Sequence, residues 1–119
     1  MRDRLDSTGH SFQAYFKRAT SPLVVLRLLM EKPMYGYELT QEMKQRSGGA
    51  FTISVLYPVL YRLQAQGYVE IARSEVVDNR NRSYYAITPA GEDYLRRTWR
   101  EYLEITKIFG DLMKGVRGE

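Results

Sequence analysis

The chain has 119 residues, the size of one domain, and no cysteine, which excludes disulfides, thiolate metal ligands and a cysteine nucleophile. Its formal charge is +4, from 18 Lys and Arg against 14 Asp and Glu, a modest excess that suits either an ordinary solvated surface or a polyanionic partner. No apolar run approaches the roughly 18 residues of a membrane span, and the opening MRDRLDSTGHSF is too charged for the apolar core of a signal peptide, so a soluble, cytoplasmic protein is expected.

Residues 1–18 are mixed and carry an aromatic cluster at Phe12, Tyr15 and Phe16, which predicts a frayed start followed by an aromatic anchor on the body or a partner. Ser21-Pro22 reads as a helix N-cap with proline at the first helical position. The LVVLRLLMEK that follows is apolar nearly all round, as in a helix buried on several sides, and Pro33 ends it. YGYELTQEMKQRSGG puts Leu39 and Met43 one turn apart and closes on Gly48-Gly49, a short amphipathic helix.

SVLYPVLYRLQAQGYVE predicts a third helix with Ser54 as N-cap and Pro58 at the fourth helical position, still within the turn whose N–H groups have no intrahelical acceptor. Leu56, Leu60 and Leu63 then share the inner face, with Ile53 just outside, and Gly67 ends the helix. YVEIARSEVV and RSYYAI are rich in β-branched and aromatic residues and flank the turn-forming DNRN, a two-stranded β-hairpin. Thr88-Pro89 opens a long helix reaching about residue 115, with Glu92 and Asp93 at its positive end. Its apolar residues keep a heptad, Leu95, Tyr102, Phe109 and Val116 with Thr98, Ile105 and Leu112 at the offset positions. Trp99 and Met113 widen that stripe, while Arg100 with Glu104 and Lys107 with Asp111 pair on the wetter side. The architecture expected is mainly α with a two-stranded hairpin: an N-terminal segment over 1–18, a winged helix-turn-helix over 19–88 and a dimerisation helix over 89–119.

The outward face of the third helix holds Ser54, Pro58, Tyr61 and Ala65, flanked by Tyr57 and Arg62. No Asp or Glu occurs between Glu42 and Glu70, whereas Lys44, Arg46 and Arg62 do, so a polyanion can approach without meeting a carboxylate. Such a face, small at its centre and crowded toward the helix N-terminus, suits entry into a DNA major groove. The hairpin tip, read as Asn79-Arg80-Asn81-Arg82, adds groups suited to phosphates or the minor groove beside it. The alternative is that the tyrosines pack on the preceding helix, or that the winged helix serves protein–protein contacts.

MYGYEL, LYPVLYRLQAQGYV and RSYYAITPAG resemble, in order and spacing, the matching segments of the PadR family of bacterial transcriptional regulators, over about residues 22–92. The resemblance is to the smaller members, which have a single C-terminal dimerisation helix. It implies a homodimeric repressor released from its DNA operator by a small aromatic or lipophilic molecule. It also implies phosphate-contacting or helix-anchoring roles for Tyr37 and Tyr57, groove positions for Ser54, Pro58 and Arg62, and wing positions for Arg80 and Arg82. Tyr61 stands where the family usually has arginine.

A heptad stripe with nothing long enough on its own chain to cover it predicts self-association through Leu95, Trp99, Tyr102, Ile105, Phe109 and Leu112. Aromatics fill such seams poorly. They either pack on Phe12, Tyr15 and Phe16, or leave Trp99 or Tyr102 facing an apolar cavity where a flat ligand stacks. An enzyme is not expected: His10 is the sole histidine, and no phosphate loop, G-x-S-x-G or metal-ligand spacing occurs, so neither metal nor cofactor is expected.

Overall fold

The computed structural model describes residues 11–53 and 56–118, so His10 and Ser54 lie outside the described residues. The elements run α1 (Phe12–Leu29), β1 (Met34–Tyr35), α2 (Gly36–Arg46), α3 (Leu56–Ala65), β2 (Val69–Val77), β3 (Arg80–Ile87) and α4 (Pro89–Leu112). This is a winged helix-turn-helix followed by a long helix, mostly helical, with the expected order of helices and hairpin.

The start of α1 departs from expectation. Its N-cap is Ser11, whose hydroxyl accepts from the Ala14 N–H at 3.1 Å, and the helix passes straight through Pro22. Ser21 is therefore an interior residue that back-bonds, donating its hydroxyl to the Lys17 carbonyl at 2.6 Å. A proline inside a helix costs about 3 kcal/mol. That cost is offset because the turns after it bury Val25, Leu26, Leu28 and Leu29 completely or nearly so. The aromatic residues Phe12, Tyr15 and Phe16 thus lie in the first turns of α1, where all three are exposed.

α2 ends as expected, with Gly49 in a left-handed conformation donating back to the Lys44 carbonyl at 2.8 Å. α3 carries Pro58 as its third residue, within the first turn, and Leu56, Leu60 and Leu63 are buried along one face. These leucines join Leu26, Leu39, Met43, Val69 and Tyr85 in a single core, with Ile53 packed at its edge. Outside the core, Arg46 of α2 forks onto Glu31 with two 2.7 Å bonds and reaches Glu42 at 2.9 Å, while Arg27 meets Glu31 at 3.1 Å. This cluster ties the end of α2 to the end of α1.

The sheet has three strands, not two: the two-residue β1 pairs antiparallel with β3, giving the order β1-β3-β2. The hairpin turn lies earlier than expected. Asp78 and Asn79 both have positive φ, 51° and 63°, between the paired Val77 and Arg80, the geometry of a type I′ turn. Arg80, Asn81 and Arg82 belong to β3 and not to the tip. Between Ile71 and Arg73 the register shifts by a β-bulge, which brings Arg73 instead of Ala72 opposite Tyr84.

α4 starts at a tightly built joint. The Thr88 hydroxyl accepts from the Gly91 N–H at 3.0 Å and donates to the Gly67 carbonyl at 2.6 Å, and the Thr88 N–H donates to the Tyr68 carbonyl at 3.0 Å. Tyr68 and Tyr94 stack with centroids 4.4 Å apart. A Cβ at Gly91 would run into the Tyr68 carbonyl oxygen and lie 2.8 Å from Ile87, so only glycine lets the helix approach the sheet so closely. Beyond this joint α4 leaves the body: Leu95 packs on the core, while Trp99, Ile105, Phe109 and Leu112 stand exposed. Lys107 and Asp111 pair at 3.8 Å, but Arg100 and Glu104 form no ion pair among the described residues. No helix of the described residues is long and apolar enough to cross a membrane.

Candidate nucleic-acid interface

With its leucine face fixed in the core, α3 turns Tyr57, Pro58, Tyr61 and Arg62 outward, all exposed. Tyr57 leans over the first residue of α2: a Cβ at Gly36 would collide with its hydroxyl and lie 2.7 Å from Cζ. The two tyrosine rings of α3 lie 6.1 Å apart. Across from them stands the hairpin, and between helix and hairpin runs a groove of about 780 Å³ lined by Tyr37, Tyr57, Tyr61, Asp78, Arg80 and Arg82 among others. Tyr85 forms part of its floor, where burial first, and then the neighbouring Tyr61 and Tyr57, push its phenol pKa up. The Tyr85 phenol is therefore a neutral hydrogen-bond donor and acceptor at physiological pH.

Five of the expected residues, Tyr37, Tyr57, Tyr61, Arg80 and Arg82, line the groove together. Tyr37 is exposed at the groove, its ring 6.5 Å from that of Tyr35. Asn79 is exposed in the turn, and Arg80 is exposed at the start of β3 with no ion-pair or ring partner among the described residues. Lys44 is exposed on α2 but does not line the groove. Arg82 behaves differently from Arg80: it is half-buried, and its guanidinium sits 4.1 Å above the ring of Tyr35. Tyr35 and Tyr85 also line the groove and are not among the expected residues. The alternation in RSYYAI already put Tyr85 opposite Tyr84 in direction, but nothing local announced that Tyr35 would join the same sheet.

The second set of residues surrounds another hollow, of about 790 Å³, where α4 departs from α1. It is predominantly apolar, walled by Phe16, Leu23, Val24, Leu95, Trp99 and Tyr102, with Arg27, Arg46 and Arg96 at its polar margin. Trp99 is 55% exposed and stacks on Tyr102 of its own helix, centroids 5.2 Å apart and planes within 8°. Farther along, Phe109 at 54% and Leu112 at 72% exposure continue the same face. Among the described residues no group of three His, Cys, Asp or Glu is placed to hold a metal ion.

Comparison with known proteins matches residues 25–97, more than half of the chain, to the Transcriptional regulator PadR-like family. The chain is 36% identical over 92 residues to Transcriptional regulator Rv3488 of Mycobacterium tuberculosis, covering 77% of this chain and 84% of that protein. A transcriptional regulator from Clostridium thermocellum superposes with a TM-score of 0.76 at 26% identity, covering 84% of this chain and 99% of that one. A PadR family transcriptional regulator from Eggerthella lenta gives the same TM-score and identity, over 86% and 88% of the two chains. The matched segment begins in the buried part of α1 and ends two residues past Leu95, so it takes in the end of α1, the rest of the winged helix and the joint of α4. This chain belongs to the PadR-like family of transcriptional regulators.

Proposed function

We propose that the chain is a sequence-specific DNA-binding repressor, working in the cytoplasm as a homodimer and released by a small aromatic or lipophilic effector. The observation that carries the DNA-binding reading is the acid-free outward face of α3, held opposite an uncommitted Arg80 across one groove. α3 enters the major groove with Tyr57, Pro58 and Tyr61 near base edges. Arg62 and Arg80 neutralise phosphates on either side, and Tyr37 and Lys44 meet the backbone beside them. Tyr61, which cannot offer the bidentate guanidinium contact to guanine, shifts base preference at its position. The exposed stripe from Trp99 to Leu112 supports dimerisation through α4. Two such subunits place their recognition helices for half-sites about 34–36 Å apart or a multiple of it. The apolar hollow beside Trp99 supports the effector role, and a ligand there acts only by favouring a dimer whose helices are mis-spaced.

The test is binding to a labelled duplex from upstream of the protein's own gene, measured at several salt concentrations. The logarithm of affinity should fall with log salt by about 0.9 per phosphate neutralised, and Arg62→Ala should weaken binding and flatten that slope while the dimer persists. A shallow dependence in the wild type favours a protein–protein role for the same face. Planar aromatic ligands should quench Trp99 emission and release DNA, with Trp99→Ala abolishing both; saturating ligand that changes neither removes the effector.

A further inference from the structure

The two wing arginines have different surroundings, and the difference assigns them different work. Arg82 sits 4.1 Å above the ring of Tyr35, and the Tyr35 ring meets Tyr84 edge-on at 5.3 Å. Arg73 lies 3.8 Å above the Tyr84 ring, and the Tyr84 hydroxyl donates to Glu75 at 2.9 Å. Two cations and two rings thus interleave across all three strands, Arg73 from β2, Tyr84 and Arg82 from β3, and Tyr35 from β1. The bulge at Ala72 is what completes this ladder, since without it Ala72 would face Tyr84. Tyr35 is also the residue immediately before α2, and its N–H donates to Glu38 of that helix through a long 3.4 Å bond. The ladder therefore joins the root of the wing to the first turn of the helix-turn-helix, the turn on which Tyr57 leans at Gly36.

Resting on the DNA-binding reading above, we infer that Arg82 is a positioning residue, which fixes the angle between wing and α3 by stacking on Tyr35, and that Arg80 is the wing's phosphate contact. Arg82 faces Glu75 across the hairpin, where the two residues are register partners. Turning it outward to a phosphate would give up the stack on Tyr35. Arg80 is exposed beside the turn and gives up nothing to reach the duplex.

The experiment combines two measurements on full-length protein. Binding of the upstream duplex is followed by anisotropy across a potassium chloride series for wild type, Arg80→Ala, Arg82→Ala, Tyr35→Leu and Tyr35→Phe. Hydrogen exchange of the β2–β3 amides is followed without DNA. Arg80→Ala should make the salt slope shallower by about 0.9 per subunit and leave exchange unchanged. Arg82→Ala and Tyr35→Leu should each lose about tenfold in affinity at every salt concentration, keep the wild-type slope and speed exchange across the hairpin. Tyr35→Phe should behave as wild type, because the ring remains. If Arg82→Ala flattens the slope as Arg80→Ala does, or leaves hairpin exchange unchanged, the positioning role is overturned while DNA binding stands. If the wild type itself shows a shallow slope, the DNA-binding reading falls, and the assignment of Arg80 falls with it.

Discussion

Two hollows of nearly equal size, about 780 and 790 Å³, lie on this small protein and are built from opposite chemistry. The groove between α3 and the wing is lined by phenols and guanidiniums held by neighbouring groups, Tyr57 against Gly36 and Arg82 on Tyr35. The hollow between α1 and α4 is walled by aliphatic and aromatic groups, and the face it belongs to runs on into solvent along α4. Preorganised polar groups suit a charged rod that supplies its own shape. Apolar area left uncovered gains free energy from any partner that removes it from water. The first surface is held in shape by contacts within one chain, whereas the second leaves Trp99, Ile105, Phe109 and Leu112 exposed on its own chain.

The largest expected effect comes from breaking the apolar side. Ile105→Glu with Phe109→Glu should convert a dimer to monomer in sedimentation equilibrium, weakening association by at least about 3 kcal/mol, since each such side chain contributes about 1.5–3 kcal/mol when buried. That is at least roughly a hundredfold in the dissociation constant. Helix content should stay the same, because neither residue packs in the core. Retention of a dimer in this variant would show that α4 is covered in some other way.

The two glycines under close contact sharpen the comparison at intermediate size. At Gly91 an added Cβ meets the Tyr68 carbonyl oxygen, which is backbone and cannot yield, so Gly91→Ala should cost about 2–3 kcal/mol and lower Tm by several degrees. At Gly36 the obstacle is the far end of the exposed Tyr57 side chain, which can swing away. Gly36→Ala should therefore cost less than about 1 kcal/mol in thermal unfolding while reducing affinity for the upstream duplex, because Tyr57 is displaced from the groove. Equal losses of stability in the two variants would contradict this division between a rigid joint and an adjustable groove wall.

How much of this was legible depended on whether the deciding contacts were local. The leucine spacing of α3 and the Thr88-Pro89 start of α4 are local signals that nothing distant overrides, and each appears as read, while Pro58 stays in the first turn of α3 but as its third residue and not its fourth. Ser21-Pro22 is an equally good local signal for a helix start, but an earlier cap at Ser11 and the burial of Val25 to Leu29 carry the helix through it. β1 was invisible because two residues carry no period. Its existence depends on Tyr84 and Tyr85, which supply the pairing from the far end of the chain. The same distance hid the role of Arg82. An arginine near a turn reads as a solvated cation until the ring that will lie beneath it is known.

The smallest effect concerns the rim of the apolar hollow, where Arg27 and Arg46 converge on Glu31. The hydrogen bonds from Arg46 lower the pKa of Glu31 from 4.5 to about 2, with Arg27 adding to the effect. A depressed carboxylate pKa contributes stability that is fully present above the unfolded value and is lost as pH falls through the folded one. The contribution therefore disappears between about pH 4.5 and 2, and is constant from pH 5 upward. All these side chains reach solvent, so the contribution is modest and screened by salt. Glu31→Gln should leave Tm at pH 7 only slightly reduced and make the Tm profile measurably flatter than wild type between pH 4.5 and 2. In 1 M salt the two profiles should converge, because screening removes most of what the ion cluster adds while the apolar walls behind it are untouched. An acid limb identical in both proteins at low salt would mean that α1 and α2 are held together by their buried leucines and methionine alone, with the cluster contributing nothing to the shape of the hollow.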